Sequence, residues 1–147
     1  SSTKLREKMT VEEAEKLKNE IYNFVHYTAK AKGSEVMWTT VKGSNDSVKK
    51  ALSGKGYARS FVPVNARATN DYNDRRALAY VYSRFMNPVE KAFFQDNGVK
   101  VDEDLLAVSD LLQWVWRSRI REGEPIDLYL PSKRMRQLLK DWAEYKI

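Results

Sequence analysis

Val36-Met37-Trp38-Thr39-Thr40-Val41, a β-branched and aromatic run lying between Gly33 and Gly43, decides the fold of this chain. Such residues fit a pleated, buried surface, and the run has no helical period, so it predicts a buried strand. Upstream, Thr10 and Glu13 form a capping box ahead of Val11, Ala14, Leu17, Ile21, Phe24, Val25 and Thr28, which share one helical face. That spacing predicts a helix from about Thr10 to Ala31, closed by Gly33. Downstream, Asn45 is placed to cap a short helix from Ser47 to Leu52 that ends at Gly54. A second strand is expected from Ala58 to Val64, with Pro63 at its end because proline cannot donate to a sheet ladder.

Beyond the polar loop from Asn65 to Tyr72, helical spacing returns at Leu78, Val81, Tyr82 and Phe85. Asn87-Pro88, a cap followed by a first-turn proline, starts a helix that runs to Gln95. Asp102 caps the next helix, whose apolar face holds Leu105, Val108, Leu112 and Val115 and which ends near Gly123. Ile126 to Leu130 is expected as a third strand, and Ser132 caps a last helix carrying Met135, Leu138, Leu139 and Trp142. Short strands separated by helices predict an α/β domain, an open and mostly parallel sheet with flanking helices. Trp38, Phe61 and Leu128 are expected on adjacent strands. The rival is an all-helical DNA-binding domain with these runs as loops; their continuous β-branched character argues against it.

The totals set the class. A chain of 147 residues, 42% hydrophobic and 31% charged, suits one soluble globular domain over residues 1–147. No apolar run approaches the ~20 residues of a membrane span, and no secretory pattern opens the chain, so no membrane partner is expected. There are no cysteines, which suits a reducing, cytoplasmic compartment and removes thiolate metal sites. The opening Ser1-Ser2, without methionine, reads as the start of a piece of a longer chain.

Charge is unevenly placed. Lys49, Lys50, Lys55, Arg59, Arg67, Arg75, Arg76 and Arg84 face only Asp71 and Asp74 within their stretch, which alone equals the net charge of +6. Basic clusters release counterions on meeting phosphate backbones, so DNA or RNA is the expected partner. The plainer reading of the same charges is ordinary solubility.

Two stretches carry candidate chemistry. In Gln113-Trp-Val-Trp-Arg117-Ser-Arg119-Ile-Arg121-Glu-Gly123, a continuous helix would put Gln113, Arg117 and Arg121 on one stripe. A helix–loop–strand edge there would let guanidinium groups meet a phosphate bidentately. Helical phase turns Arg119 towards the Leu105–Leu112 face, whereas Arg121 lies at the helix end. The other stretch, Phe61 to Tyr72, is expected at the carboxyl end of a strand, where open α/β sheets place their crevices. Its Ala68-Thr69-Asn70-Asp71 core offers hydroxyl, amide and backbone groups to phosphate, with Arg67 beside it. Surface arginines and an Asx-rich turn are the plainer readings.

Gln-x-x-x-Arg-x-Arg-x-Arg-x-Gly followed by a strand resembles motif VI of superfamily 2 helicases and translocases. The Asn65–Tyr72 segment is similar in position to their motif V, and Trp38-Thr39-Thr40 is placed like motif IV. This chain departs from the family where Trp116 replaces the usual glycine, where the arginines stand two apart, and where Asn73-Asp74-Arg75-Arg76 replaces Arg-Gly. The resemblance covers roughly Thr10 to Tyr145 and implies a RecA-like second helicase lobe. It implies catalytic roles for Arg117, Arg119 or Arg121, one of them an arginine finger. It implies support of the nucleotide by Gln113, Asn70 and Asp71, and nucleic-acid contact by Thr39, Thr40, Arg67, Thr69, Arg75 and Arg76. ATP and Mg²⁺ would be held mainly by an N-terminal helicase lobe of the same parent chain. Asn65-Ala-Arg-Ala-Thr-Asn70 and Tyr129-Leu-Pro-Ser-Lys-Arg-Met-Arg136 also resemble helicases carried by phages and mobile elements, which implies a bacterial or phage-infected cell. The alternative is a stand-alone basic module of replication or transcription that binds nucleic acid without ATPase activity.

The remaining candidates read as structure. Ser53-Gly54-Lys55-Gly56 follows a helix and lacks the Ser or Thr of a phosphate loop, so a flexible turn is expected. Asp102-Glu103-Asp104 stands at a helix start, where acids favour the dipole. His26, the only histidine, has no ligand set around it and is expected to be structural. Tyr80, Tyr82, Trp114 and Trp116 are of a kind that stacks on bases, but most of them are expected in the core.

Overall fold

Three parallel strands form the sheet, β1 (Val36–Thr40), β2 (Ala77–Val81) and β3 (Asp127–Tyr129), in the order β1-β2-β3. The structure is a computed structural model, which describes residues 10–40, 47–66, 70–82, 92–93, 95–98 and 102–146. In the register, Trp38 lies opposite Ala79 and Leu78 opposite Leu128. The flanking helices are α1 (Val11–Asn23), α2 (Ser47–Leu52), α3 (Glu103–Val115) and α4 (Lys133–Ala143). Among the described residues, no helix is long and apolar enough to cross a membrane.

Alternation along the strands divides the core into two layers. Val36, Trp38, Ala77, Ala79 and Val81 pack with Ile21, Val25, Leu52 and Tyr57 on one face. Met37, Leu78 and Tyr80 pack with Val108, Leu111, Trp114, Met135 and Leu138 on the other. Each layer covers one face of the sheet, as parallel sheets require, so the expected α/β class holds. The helix caps follow the expected residues: Thr10, Asp102 and Ser132 each accept from a backbone N–H in the first turn of α1, α3 and α4.

Four expectations on the elements are corrected. The spacing of Leu78, Val81 and Tyr82 predicts a helix, but Ala77–Val81 is the central strand and is wholly buried. A strand covered on both faces reads as an unbroken apolar run, and a short run of that kind also satisfies helical spacing. The second expected strand shrinks to one bridge between Phe61 and Trp38, after a 3₁₀ turn over Ala58–Ser60. Pro63 supplies no N–H to continue the ladder, and its carbonyl instead accepts from Ala66 in a turn. Consequently Trp38 and Phe61 are neighbours, while Leu128 is separated from Trp38 by β2.

The helix expected from Thr10 to Ala31 leaves α-geometry after Asn23 and widens into a π-turn over Phe24–Thr28. Likewise α3 ends at Val115, well before Gly123. Ser118 is extended (φ −81°, ψ −174°) and its hydroxyl caps a separate 3₁₀ turn, Arg119–Glu122, which Gly123 closes at φ 80°. Asn45, Phe85 and the Asn87-Pro88 helix start lie outside the described residues.

Candidate nucleic-acid and nucleotide interface

The break after α3 decides where the three arginines point. Because the helix stops, Gln113, Arg117 and Arg121 are not one continuous stripe. Arg117 remains packed: its Nη1 donates to the Gln113 carbonyl at 3.2 Å and its Nη2 to the Ala66 carbonyl. Its Nε is buried without a hydrogen-bond partner. Arg119 does not turn towards the Leu105–Leu112 face. Its Nε donates to the Pro125 carbonyl at 2.7 Å, and Nη1 pairs with Glu124 at 3.6 Å. The 3₁₀ turn folds this side chain back over its own loop. Arg121 is exposed, and its Nη2 donates to Asn70 Oδ1 at 2.8 Å.

That last bond joins the two stretches that carry the helicase resemblance. The backbone reinforces it: Arg119 N donates to the Arg75 carbonyl at 3.0 Å, and Asp127 N to the Arg76 carbonyl at 2.8 Å. The arginine turn therefore seats on the segment that enters β2, beside the start of β3. Asp71 lies exposed next to Asn70, in the turn that leads there.

Arg75 and Arg76, expected on nucleic acid, brace the fold instead. Arg75 Nη1 donates to the carbonyls of Val36 (3.0 Å) and Gly33 (3.3 Å). Arg76 pairs with Glu35 at 2.7 Å and donates to the carbonyls of Ala29 (2.9 Å) and Lys30 (3.0 Å). The Arg76 hydrogen bond, helped by the Lys32 N–H, holds the Glu35 carboxyl down to about 2. The two guanidinium groups stitch the end of the π-turn and the entry to β1 onto β2. Part of the basic stretch is thus internal wiring. Lys50, Lys55 and Arg59 are its exposed members among the described residues, and Arg67 and Thr69 lie outside them.

A cleft of about 550 Å³ opens between α3 and the segment after Phe61, at the carboxyl end of β1. Thr40, Asn65, Tyr82, Asp110, Gln113 and Arg117 line it. Asp110 and Gln113, at i and i+3 on α3, supply polar groups to one wall, and Arg117 joins them from the turn just past the helix end. Thr39 and Thr40 are buried, and neither hydroxyl has a hydrogen-bond partner. The structure thus brings Thr40, Gln113 and Arg117 together at this cleft and places Arg121, Asn70 and Asp71 beyond it. Asn65 and Asp110 were not singled out as site residues; the i, i+3 spacing of Asp110 with Gln113 was the available signal.

The residues read as structural behave so. His26 Nε2 lies 3.2 Å from the Lys55 carbonyl oxygen, with the ring over Gly56. Trp114 is fully buried and its Nε1 donates to the Val62 carbonyl at 2.9 Å; Trp116 is the exception to the core expectation, at 61% exposed.

A family model described as the YonV C-terminal Rossmann-like domain matches residues 1–143. The SPbeta prophage-derived uncharacterized protein YonV of Bacillus subtilis (strain 168) is 45% identical over 129 residues. That alignment covers 88% of this chain and 30% of the relative, so the chain spans less than a third of the relative's length. The prophage origin of that relative matches the phage or mobile-element part of the expectation drawn from the Asn65–Asn70 and Tyr129–Arg136 runs; its name carries no helicase activity. No solved structure matches the chain.

Proposed function

The chain belongs to the family of YonV C-terminal Rossmann-like domains, and from that premise we propose that it is the second, RecA-like motor lobe of an ATP-dependent nucleic-acid helicase or translocase. The observation that carries this reading is the Arg121–Asn70 hydrogen bond at 2.8 Å, which unites the segments resembling motifs V and VI. In such a lobe Arg121 is the arginine finger: exposed at the surface and held in place by Asn70, it reaches ATP bound with Mg²⁺ on a first lobe. Its planar fork matches charge that develops on a phosphoryl group. Arg117 and Arg119, tied to carbonyls of their own domain, position the turn. Exposed cations of the basic stretch serve the nucleic acid, in the cytoplasm of a bacterial or phage-infected cell, while Thr39, expected there too, is sealed inside the sheet.

One observation favours a second reading. Every guanidinium of the arginine turn already has a partner inside the domain, as suits an accessory module that binds nucleic acid without ATP chemistry. Single-turnover ATP hydrolysis by the full-length protein distinguishes the two. With Arg121→Ala, turnover should fall by about 10³–10⁵, the range for such fingers. Nucleotide binding should fall far less, because the finger acts on the transition state. Lys at this position should rescue poorly, since a point charge lacks the fork. Unchanged turnover in the Ala variant removes the motor-lobe reading.

A further inference from the structure

The cleft beside α3 has a chemistry that phosphate contact does not explain. We infer that it receives a single unstacked nucleobase of a bound single strand, an inference that rests on reading the domain as a nucleic-acid-binding lobe. Its volume of about 550 Å³ falls within the range of small-ligand sites. The lining argues for a neutral, hydrogen-bonding guest rather than an anion. It offers one carboxylate (Asp110), two carboxamides (Asn65 and Gln113), two hydroxyls (Thr40 and Tyr82) and one guanidinium (Arg117). That guanidinium is already turned to the Gln113 and Ala66 carbonyls, so it is not aimed at an anion in the cleft.

A base edge carries donors and acceptors side by side, and these are the groups that read it. Carboxylates accept from exocyclic amines, and carboxamides can both donate and accept. Thr40 supplies the independent sign of a missing guest. It is only 2% exposed, its hydroxyl has no hydrogen-bond partner, and it lies in the cleft wall. A buried hydroxyl left unpaired has a cost that a ligand can remove. Phe61 adds an aromatic wall, and the Lys49 ammonium sits 4.4 Å from the Phe61 ring centroid, placing a cation where the flanking backbone would pass.

Fluorescence anisotropy with this chain tests the inference, using labelled single-stranded DNA homopolymers and an abasic strand of equal length. The strands with bases should bind about tenfold or more tighter than the abasic one, in keeping with what one well-held base contributes. Thr40→Val, which exchanges an unpaired hydroxyl for a methyl group, should fold normally and narrow that margin. Gln113→Ala should narrow it further, and neither change should alter the slope of affinity against salt. If abasic and base-bearing strands bind equally, with affinity falling steeply with salt, the base site is overturned and the nucleic-acid reading stands. If both variants keep the full margin, the base is held elsewhere and the site is equally overturned. If no strand binds, or binding ignores salt, the nucleic-acid reading fails and the base site with it.

Discussion

Arg76 grips Glu35 at 2.7 Å, and that pair ties the start of the sheet's central strand to the turn that enters β1. The carboxyl is held down to about 2, against 4.5 for an unperturbed glutamate, mainly by the Arg76 hydrogen bond. A depressed pKa in the folded state gives stability that is whole above 4.5 and lost as pH falls towards 2. The thermal midpoint should therefore drop across that acid window. Glu35→Gln should lower the midpoint at neutral pH and flatten this part of the curve. An unchanged acid limb in the variant would assign the acid sensitivity to other carboxylates.

Because both braces are internal, charge reversal at Arg75 and Arg76 is expected to unfold the domain rather than report on binding. The exposed cations make the cleaner test. Simultaneous Lys50→Glu, Lys55→Glu and Arg59→Glu should leave the melting midpoint almost unchanged and weaken binding to all nucleic-acid sequences. For every phosphate no longer neutralised, the log–log salt slope should become shallower by about 0.7–0.9. Titrations at several salt concentrations would show whether that stretch is merely a solvated face.

Arg119 and Arg121 should part company. Removing the Arg119 side chain deletes its bonds to Pro125 and Glu124, and should cost on the order of 1 kcal/mol in urea unfolding. The Arg119 N–H still bonds to Arg75, so ATP turnover in the full-length protein should stay within a few-fold of normal. A loss like that expected for Arg121→Ala would make Arg119 the finger.

Trp114→Phe deletes the Nε1–H that satisfies the Val62 carbonyl and also one ring of the buried indole, leaving a void whose cost adds to that of the lost bond. Stranding that buried acceptor should cost about 1–3 kcal/mol. A denaturant midpoint equal to that of the parent protein would mean that water replaces the indole at that carbonyl.

Gly56 combines a positive φ of 88° with the imidazole of His26, whose Nε2 would lie 2.6 Å from an added Cβ. Gly56→Ala should destabilise by about 1–2 kcal/mol from the backbone alone, with the ring contact adding to it. In the double variant with His26→Ala the steric share should disappear and the backbone share remain, so the two effects should be clearly non-additive.

Much of this was legible in the chain. Val36–Thr40 announced its strand through β-branched residues, and Thr10, Asp102 and Ser132 announced their helices through caps. Ala77–Val81 was not legible as a strand, because a segment buried on both faces loses the alternation that marks half-buried strands. At the site, the sequence brought out the arginine turn and the Asn70 loop as chemistry. It could not show that Ser118 breaks α3, and that break sends Arg119 to Pro125 and Arg121 to Asn70. Nor could it separate the arginines that bind carbonyls from those that face solvent: Arg59 and Arg76 look alike until their neighbours are known.

Each strand of this sheet pairs in parallel with a partner that lies a long crossover away in the chain. Trp38 meets Ala79 across 41 positions of sequence, and Leu78 meets Leu128 across 50. During synthesis Val36–Thr40 precedes its full partner by a long stretch of chain, whereas Ala77–Val81 emerges with one partner already made and gains the second only with Asp127–Tyr129. Pairing at such sequence distances is expected to make folding slower than that of a helical domain of equal size, with the β1–β2 pair able to form before the last strand docks.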